Sequence, residues 1–458
     1  MTAAPDSREL VDYVAAARRM LARGGYELSG QIVQAERWGI SHIQDYLETH
    51  SHPERRSTVH IAGSKAKGST AIMTEALLRA ALPVSDGSAR TMLYTSPDLH
   101  SARERIVLEG KVISAGRFAA LADDLLADPM TEGWSYFELL TVMAWQAAEE
   151  AACRWQVVEV GLGGRLDTTN AILEKAVSVI TPIDREHTAI LGHKISEIAA
   201  EKAGILTGPC DVVVAPQRAS AIDVIRAVAE KAEVRVHEVA EECALRITSQ
   251  SVDQVQFDLR TPKRTYRKLK LGVMGAHQVE NAAAAVRAAE LALESEQQEL
   301  QEEIVRHALS NVRLPGRGEV IGRDPLMIAD GAHTPLAAKR LKQSLDNSGV
   351  AKGRVFVLGF LEGKEMKDIA RPLFDSQDQA LVTLPRSARA VDLADAVDEV
   401  ASLGIPIKTA PDVETAMTRA TLMAGEKGVV VITGSMRTVA EAREVKLFVT
   451  GDRALGLR

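Results

Sequence analysis

The sequence predicts an α/β protein of two domains, the first of them built on a mostly parallel sheet. Short, near-continuously apolar runs alternate with helix-length segments, the pattern of a sheet covered by helices on both faces. At 458 residues the chain is longer than one hydrophobic core commonly supports. The pattern breaks at "RLPGRGEV" (Arg313–Val320), where Pro315, Gly316 and Gly318 make a joint, and past it the α/β rhythm restarts. The expected domains are therefore residues 1–314 and 315–458.

In chain order, the first domain carries five candidate strands: "TVHIA" (Thr58–Ala62), "TMLYT" (Thr91–Thr95), "QVVEV" (Gln156–Val160), "VSVIT" (Val177–Thr181) and "DVVVA" (Asp211–Ala215). Helix-length stretches such as "STAIMTEALLRAAL" and "FELLTVMAWQAAEEA" lie between them. From Leu245 to Leu271 polar and apolar residues alternate around turn signals, which reads as an antiparallel excursion. The alanine-rich run that follows, "ENAAAAVRAAELALESEQQELQEEIVRHAL", is expected to be helical with a charged outer face. Past the joint, "LMIAD", "RVFVLGF", "ALVTL" and "GVVVITG" are the strands of the second domain.

Composition narrows the function. A net charge of −7 argues against a general nucleic-acid binder, while leaving room for a local basic pocket. Cys153, Cys210 and Cys243 lie far apart without a C-x-x-C pair, so neither a disulfide framework nor a zinc site is indicated. The start "MTAAPDSREL" lacks a basic-then-apolar leader, and no apolar run is long enough to span a bilayer. A cytoplasmic protein, monomeric and without membrane or nucleic-acid partners, is the expectation.

"HIAGSKAKGST" (His60–Thr70) fails the strict phosphate-loop pattern G-x-x-x-x-G-K-S/T, since Ile61 and Ala66 stand at its glycine positions and Gly68 at its Ser/Thr position. Its context is nonetheless that of a phosphate site: a strand, a turn of small residues, then a helix start whose amides face an anion while a lysine neutralises it. The alternative is an ordinary turn with solvated lysines. In "EVGLGGRLDTTN" (Glu159–Asn170), Glu159 closes an apolar strand on the same sheet edge, where a hard carboxylate suits Mg²⁺. Its alternative is a strand-end glutamate paired with Arg165.

Several blocks together are similar to the folylpolyglutamate synthase/dihydrofolate synthase family of the Mur ligase superfamily. "HIAGSKAKGST" resembles H-V-A-G-T-N-G-K-G-S, "TSPDL…RERI" resembles T-S-P-H-L…N-E-R-I, and "EVGLGGRLDTTN" nearly repeats E-V-G-L-G-G-R-L-D-A-T-N. "REHTAILG…IAAEKAGI", "HQVEN", "LPGR", "DGAHTP" and "ITGS" continue the series in order along nearly the whole chain.

The resemblance implies a Mur-ligase-type P-loop ATPase domain with a mostly parallel sheet, plus a smaller C-terminal Rossmann-like α/β domain. It also implies ATP and two Mg²⁺ ions, with pteroate or folate and L-glutamate as substrates. A pteroate or folate carboxylate is activated as an acyl phosphate, and the amine of L-glutamate then displaces phosphate. By position, Gly63, Ser64, Lys65, Ala66, Lys67, Gly68 and Ser69 wrap the phosphates, with Lys67 on the transferring oxygens. Ser96 and Glu159 bind magnesium, and His187 a second ion; on residue chemistry alone a lone histidine is more commonly a hydrogen-bonded structural residue. Lys202 matches a lysine that is carbamoylated in these enzymes, against the plain reading of a helix-surface lysine. Asn281, Arg317, Asp330 and His333 match nucleotide contacts, with an interdomain salt bridge as the alternative for Arg317. Phe137 and Glu138 fall in the pterin-side segment, Phe137 as a stacking face or a core aromatic. Gly163, Arg165, Asp167 and Ser435 complete the substrate side, Ser435 near the incoming glutamate.

Departures from the family pattern are Lys65, Ala66, Asp98, Glu186 and Thr334. Ala66 strains the loop if the position needs a positive φ. They leave three readings open: a folate-type glutamate ligase, a Mur-superfamily ligase for another carboxylate, and an ATP-binding paralogue without turnover.

Overall fold

A computed structural model describes residues 7–29, 39–82, 90–363 and 366–457. The first sheet has eight strands in the order β4-β3-β2-β5-β1-β6-β7-β8. They are β1 (Ser57–Ala62), β2 (Thr91–Tyr94), β3 (Ile106–Leu108), β4 (Lys111–Val112), β5 (Trp155–Glu159), β6 (Val177–Ile180), β7 (Asp211–Val214) and β8 (Arg235–Glu238). From β2 across to β8 every pairing is parallel, and β3 and β4 add an antiparallel hairpin at one edge. Each expected strand is present within a residue of its expected ends. The three unpredicted strands are short ones, two to four residues long and nearer the sheet edges.

β9 (Ala244–Gln250), β10 (Val255–Arg260) and β11 (Thr265–Leu271) form the expected antiparallel excursion as a separate three-stranded sheet. The alanine-rich run differs from expectation. It is two helices, His277–Glu294 and Glu302–Asn311, and the first is buried along nearly its whole length, Arg287 and Glu290 included. The reason is size. Alanine brings backbones close, so this helix fits between the helix Lys67–Ala81, β6 and β7 on one side and the small sheet on the other. Arg287 and Glu290 satisfy each other and Glu242, Thr261 and Tyr266 instead of facing water.

β12 (Glu319–Arg323), β13 (Leu326–Ala329), β14 (Val355–Leu358), β15 (Gln379–Thr383), β16 (Ile407–Ala410) and β17 (Val429–Thr433) make the second large sheet, order β12-β13-β17-β14-β15-β16, parallel except for β12 against β13. Its core is separate from those of the first sheet. No helix of the described residues is long and apolar enough to cross a membrane.

Candidate active site

Because β1, β2, β5 and β6 run parallel, their carboxyl ends open at one edge, where ligands of such sheets bind. Register sets Ile61 of β1 beside Glu159 of β5, so the loop after β1, the Ser96 turn after β2 and the glycine loop after β5 meet there. A cleft of about 2070 Å³ runs from this edge to the second large sheet.

The loop is built for close approach. At Gly63 (φ 148°) a β-carbon would collide with the side chain of Thr181. Ala66 takes the left-handed conformation, φ 69° and ψ 4°, immediately before the helix Lys67–Ala81. A non-glycine residue there costs about 1–2 kcal/mol. The first amide of this helix to bond back to the loop is Thr70 N–H, to Ala66 O at 2.9 Å, and among the described residues no side chain caps the helix start. The amides of Lys67, Gly68 and Ser69 are thus presented to the cleft, the arrangement that binds phosphate. The amides of Ser64 and Lys65 are committed elsewhere, both donating to Pro182 O at 3.1 Å.

Charge converges on the loop from below. Lys67 Nζ and Lys202 Nζ both donate to Gly63 O, at 3.1 and 2.8 Å. Lys202 also donates to Glu186 Oε1 at 2.8 Å, and Lys65 Nζ lies 4.0 Å from Glu186 Oε2. Lys202 is 1% exposed, so it is no surface lysine. Burial, reinforced by Lys67 and opposed by Glu186, lowers its ammonium to about 8. Burial raises the Glu186 carboxyl, but Lys202 and Lys67 outweigh it and hold the group below the usual range.

Glu159 is buried behind the helix start, where a β-carbon on Gly68 would lie 3.2 Å from its Oε2. Burial raises its carboxyl, against Lys67. It accepts Ser96 N–H at 3.0 Å and does not pair with Arg165, which bonds Glu201 Oε1 at 2.9 Å and faces solvent. The Glu159 carboxylate beside the Ser96 turn is a hard-oxygen donor set that fits Mg²⁺. His187 (φ 46°) sits at the cleft rim with Nδ1 2.9 Å from Tyr26 Oη.

Other expected residues divide between cleft and scaffold. Asp167 accepts Leu162 N–H and the Thr169 amide and hydroxyl, at 2.8, 3.0 and 2.5 Å, bracing the glycine loop from within. Gly163 and Arg165 do not line the cleft. Phe137 does, while also packing on Tyr94 with ring centres 6.1 Å apart. Glu138 lines it too, but its oxygens close a capping box with Ser135 and accept His42 Nε2 at 2.8 Å.

Asn281 joins the cleft from the helix His277–Glu294 of the first domain, and from the far side come Arg317, Asp330, His333 and Ser435. Arg317 makes no ion pair among the described residues, which removes the interdomain salt bridge as its explanation there. Burial raises the Asp330 carboxyl to about 6, with Arg317 opposing. His333 Nδ1 donates to Gly331 O at 2.8 Å. Thr334 and Ser435 each cap a helix, Pro335–Asn347 and Met436–Leu447, so threonine in place of asparagine keeps the capping function.

Sequence reasoning missed His277, Arg340 and Arg389 in the cleft wall, as well as Tyr26 and His42. Burial, with Arg340 and Arg317, depresses His277 to about 4, so it is a neutral hydrogen-bonding group. Tyr26, after Gly24 and Gly25, and His277, after Gly275, adjoin glycine turns; long-range packing brings all five into the cleft wall.

Comparison with known proteins agrees with this geometry. Residues 126–289 match the Mur ligase middle domain and residues 316–436 the Mur ligase glutamate ligase domain. The chain is 32% identical over 450 residues to the dihydrofolate synthase/folylpolyglutamate synthase of Mycobacterium tuberculosis, covering 88% of each chain. It is 27% identical over 419 residues to the protein of that name from Bacillus subtilis, covering 89% of this chain and 94% of that one. The solved M. tuberculosis folylpolyglutamate synthase complexed with ADP and AMPPCP superposes with a TM-score of 0.83 at 30% identity, over 95% of this chain and 98% of that one. The bifunctional folylpolyglutamate synthase/dihydrofolate synthase of Yersinia pestis, complexed with AMPPNP and Mn ion, gives 0.75 at 27% identity over 92% and 97%.

Proposed function

We infer the activity from one premise: this chain belongs to the folylpolyglutamate synthase/dihydrofolate synthase family of Mur ligases. It is an ATP-dependent amide ligase that adds L-glutamate to a pteroate or folate carboxylate through an acyl phosphate. The observation that carries the reading is the meeting of Lys67 and Lys202 at the Gly63 carbonyl, beneath a helix start that presents free amides.

The acid's carboxylate attacks the γ-phosphorus, ADP leaves, and the amine then attacks the acyl carbon and expels phosphate. In our assignment Lys67, held from behind by Gly63 O, balances charge on the transferring oxygens. Arg317 approaches from the second domain, and Asn281, Asp330 and His333 hold the nucleotide. Ser96, Glu159 and His187 would hold magnesium, which when bound supplies further neutralisation of phosphoryl charge. We assign two ions, one at Ser96 and Glu159 and one at His187. Phe137 and the Glu138–His42 pair form the wall on which an aromatic acid rests. Arg389, with Ser435, offers a cation to a carboxylate of the incoming amino acid. We divide the machinery at Pro315, so the nucleotide bridges residues 1–314 and 315–458.

The test is phosphate release with ATP and Mg²⁺ across a panel of pterin carboxylates, each with and without L-glutamate. We expect release that requires both the acid and the amine. Release indifferent to both would overturn the ligase assignment, and none at all would leave a nucleotide-binding protein.

A further inference from the structure

The segment Gly24–Glu27 reaches the metal-side residues of the cleft from the opposite wall. It is anchored there: Tyr136 N–H donates to Gly24 O at 2.9 Å, and a β-carbon on Gly25 would meet Ser135 at 3.1 Å. Glu27 accepts Arg105 Nη1 at 2.8 Å, and Arg105, fully buried, donates Nε to Asp98 Oδ1 at 2.7 Å. Asp98, one of the departures noted above, is thus the buried partner of an arginine, and through it the Ser96–Asp98 turn is tied to this segment. Next to Glu27, Tyr26 Oη lies 2.9 Å from His187 Nδ1, with the rings edge-on at 5.8 Å and 68°.

We propose that Tyr26 is a positioning residue for His187: its hydroxyl accepts Nδ1–H and so turns the Nε2 lone pair toward a divalent cation in the cleft. An imidazole has one neutral lone pair, and the nitrogen that carries it is set by the hydrogen bond the other nitrogen makes. His187 stands exposed at the cleft rim on a left-handed backbone. Tyr26 supplies both the edge contact and the acceptor. The inference rests on the reading of His187 as a ligand.

Tyr26→Phe keeps the ring and removes the hydroxyl. Mn²⁺ binding followed by electron paramagnetic resonance, with AMPPCP present, should show one ion held about tenfold more weakly than in the parent, the size typical of losing such an outer partner. Metal-free AMPPCP affinity and thermal stability should stay as in the parent. Nitrogen NMR of His187 should show Nε2 losing its unprotonated character. His187→Ala, measured in parallel, separates the two levels. If His187→Ala loses that ion and Tyr26→Phe binds it like the parent, the positioning role is overturned and the ligand reading stands. If His187→Ala leaves Mn²⁺ binding untouched, the ligand reading falls and this inference with it.

Discussion

Three lysines gather at the phosphate loop, and their surroundings make them unequal. Lys67 is fixed by Gly63 O and stands at the helix start, whereas the Lys65 ammonium has, among the described residues, a 4.0 Å approach to Glu186. Lys67→Ala should therefore lower turnover by orders of magnitude, because its charge matters most as the phosphoryl group transfers. Lys65→Asn should change ATP affinity and its salt dependence by about tenfold or less, the worth of a contact near 1 kcal/mol. Steady-state kinetics at two ionic strengths separates them; the reverse pattern would refute the assignment of Lys67. Lys202 differs again. Its pKa of about 8 means the neutral amine is a minority below neutrality and the majority above pH 8. The neutral amine can add to CO₂, forming an N–C bond and releasing a proton, which would replace an ammonium with a carboxylate. Since Glu186 stands 2.8 Å away, a second anion there is favoured only when a cation lies between them. With ¹³C-bicarbonate, a carbamate resonance should grow as pH rises through 8 and require Mg²⁺. Lys202→Ala should lose it, and short carboxylates should restore part of that variant's activity. A parent protein silent at pH 8.5 with Mg²⁺ and nucleotide would refute the modification.

At the scale of elements, the strands that carry the site were readable because buried parallel strands are short apolar runs with glycine turns after them. β1, β2, β5 and β6 lie where the pattern puts them. What was hidden is what side chains do after packing. Lys175 looks like a loop lysine in "AILEKAV", yet it is buried and donates to Asn170 Oδ1, Ile205 O and Thr207 Oγ1 at 2.9, 2.9 and 2.7 Å. Asn170 in turn bonds Arg165 O and Gly204 O, each at 3.1 Å, so the cation stitches the glycine loop to the end of the helix Ile195–Ala203 that carries Lys202. Lys175→Met would leave two buried acceptors, Asn170 Oδ1 and Ile205 O, short of a donor, at about 1–3 kcal/mol for a typical unsatisfied group. We expect a lower melting temperature and a loss of turnover, with ATP binding retained because the phosphate loop is held separately; a loss of ATP affinity instead would contradict this. The loop itself can be tested with Ala66→Gly. Removing the β-carbon relieves left-handed strain, offset by the greater freedom of glycine in the unfolded chain. Chemical denaturation should show stability unchanged or raised by up to about 1 kcal/mol, and a clear loss would mean the φ of 69° is not the strain it looks.

At the scale of the whole molecule, the nucleotide contacts we assign are divided between two bodies, so their relative placement sets how much binding energy is realised. The chain's last described residues bear on that placement. After the helix Met436–Leu447, Phe448 turns in a left-handed conformation and the following segment returns to the first domain. There Asp452 accepts Tyr13 Oη at 2.7 Å and Ala102 N–H at 2.9 Å, and donates its own amide to His100 O at 2.8 Å. His100 also reaches the second domain's helix directly: Arg443 donates to its Nε2 at 2.5 Å, which leaves Nδ1–H for Glu444 at 3.4 Å, a self-consistent neutral tautomer. Nothing in "VTGDRALGLR" signals such a clasp, since aspartate before arginine reads as a solvated turn. Asp452→Ala removes both side-chain bonds while leaving the phosphate loop and the second-domain contacts intact. If the clasp holds the domains at the spacing the nucleotide needs, the variant populates more open arrangements, and apparent affinity falls by the fraction of molecules still competent. We expect the ATP KM to rise about tenfold with kcat little changed, and small-angle scattering to show a larger nucleotide-free particle that AMPPCP draws back to the parent's size. An unchanged ATP KM alongside a lowered melting temperature would show that Asp452 only secures the tail.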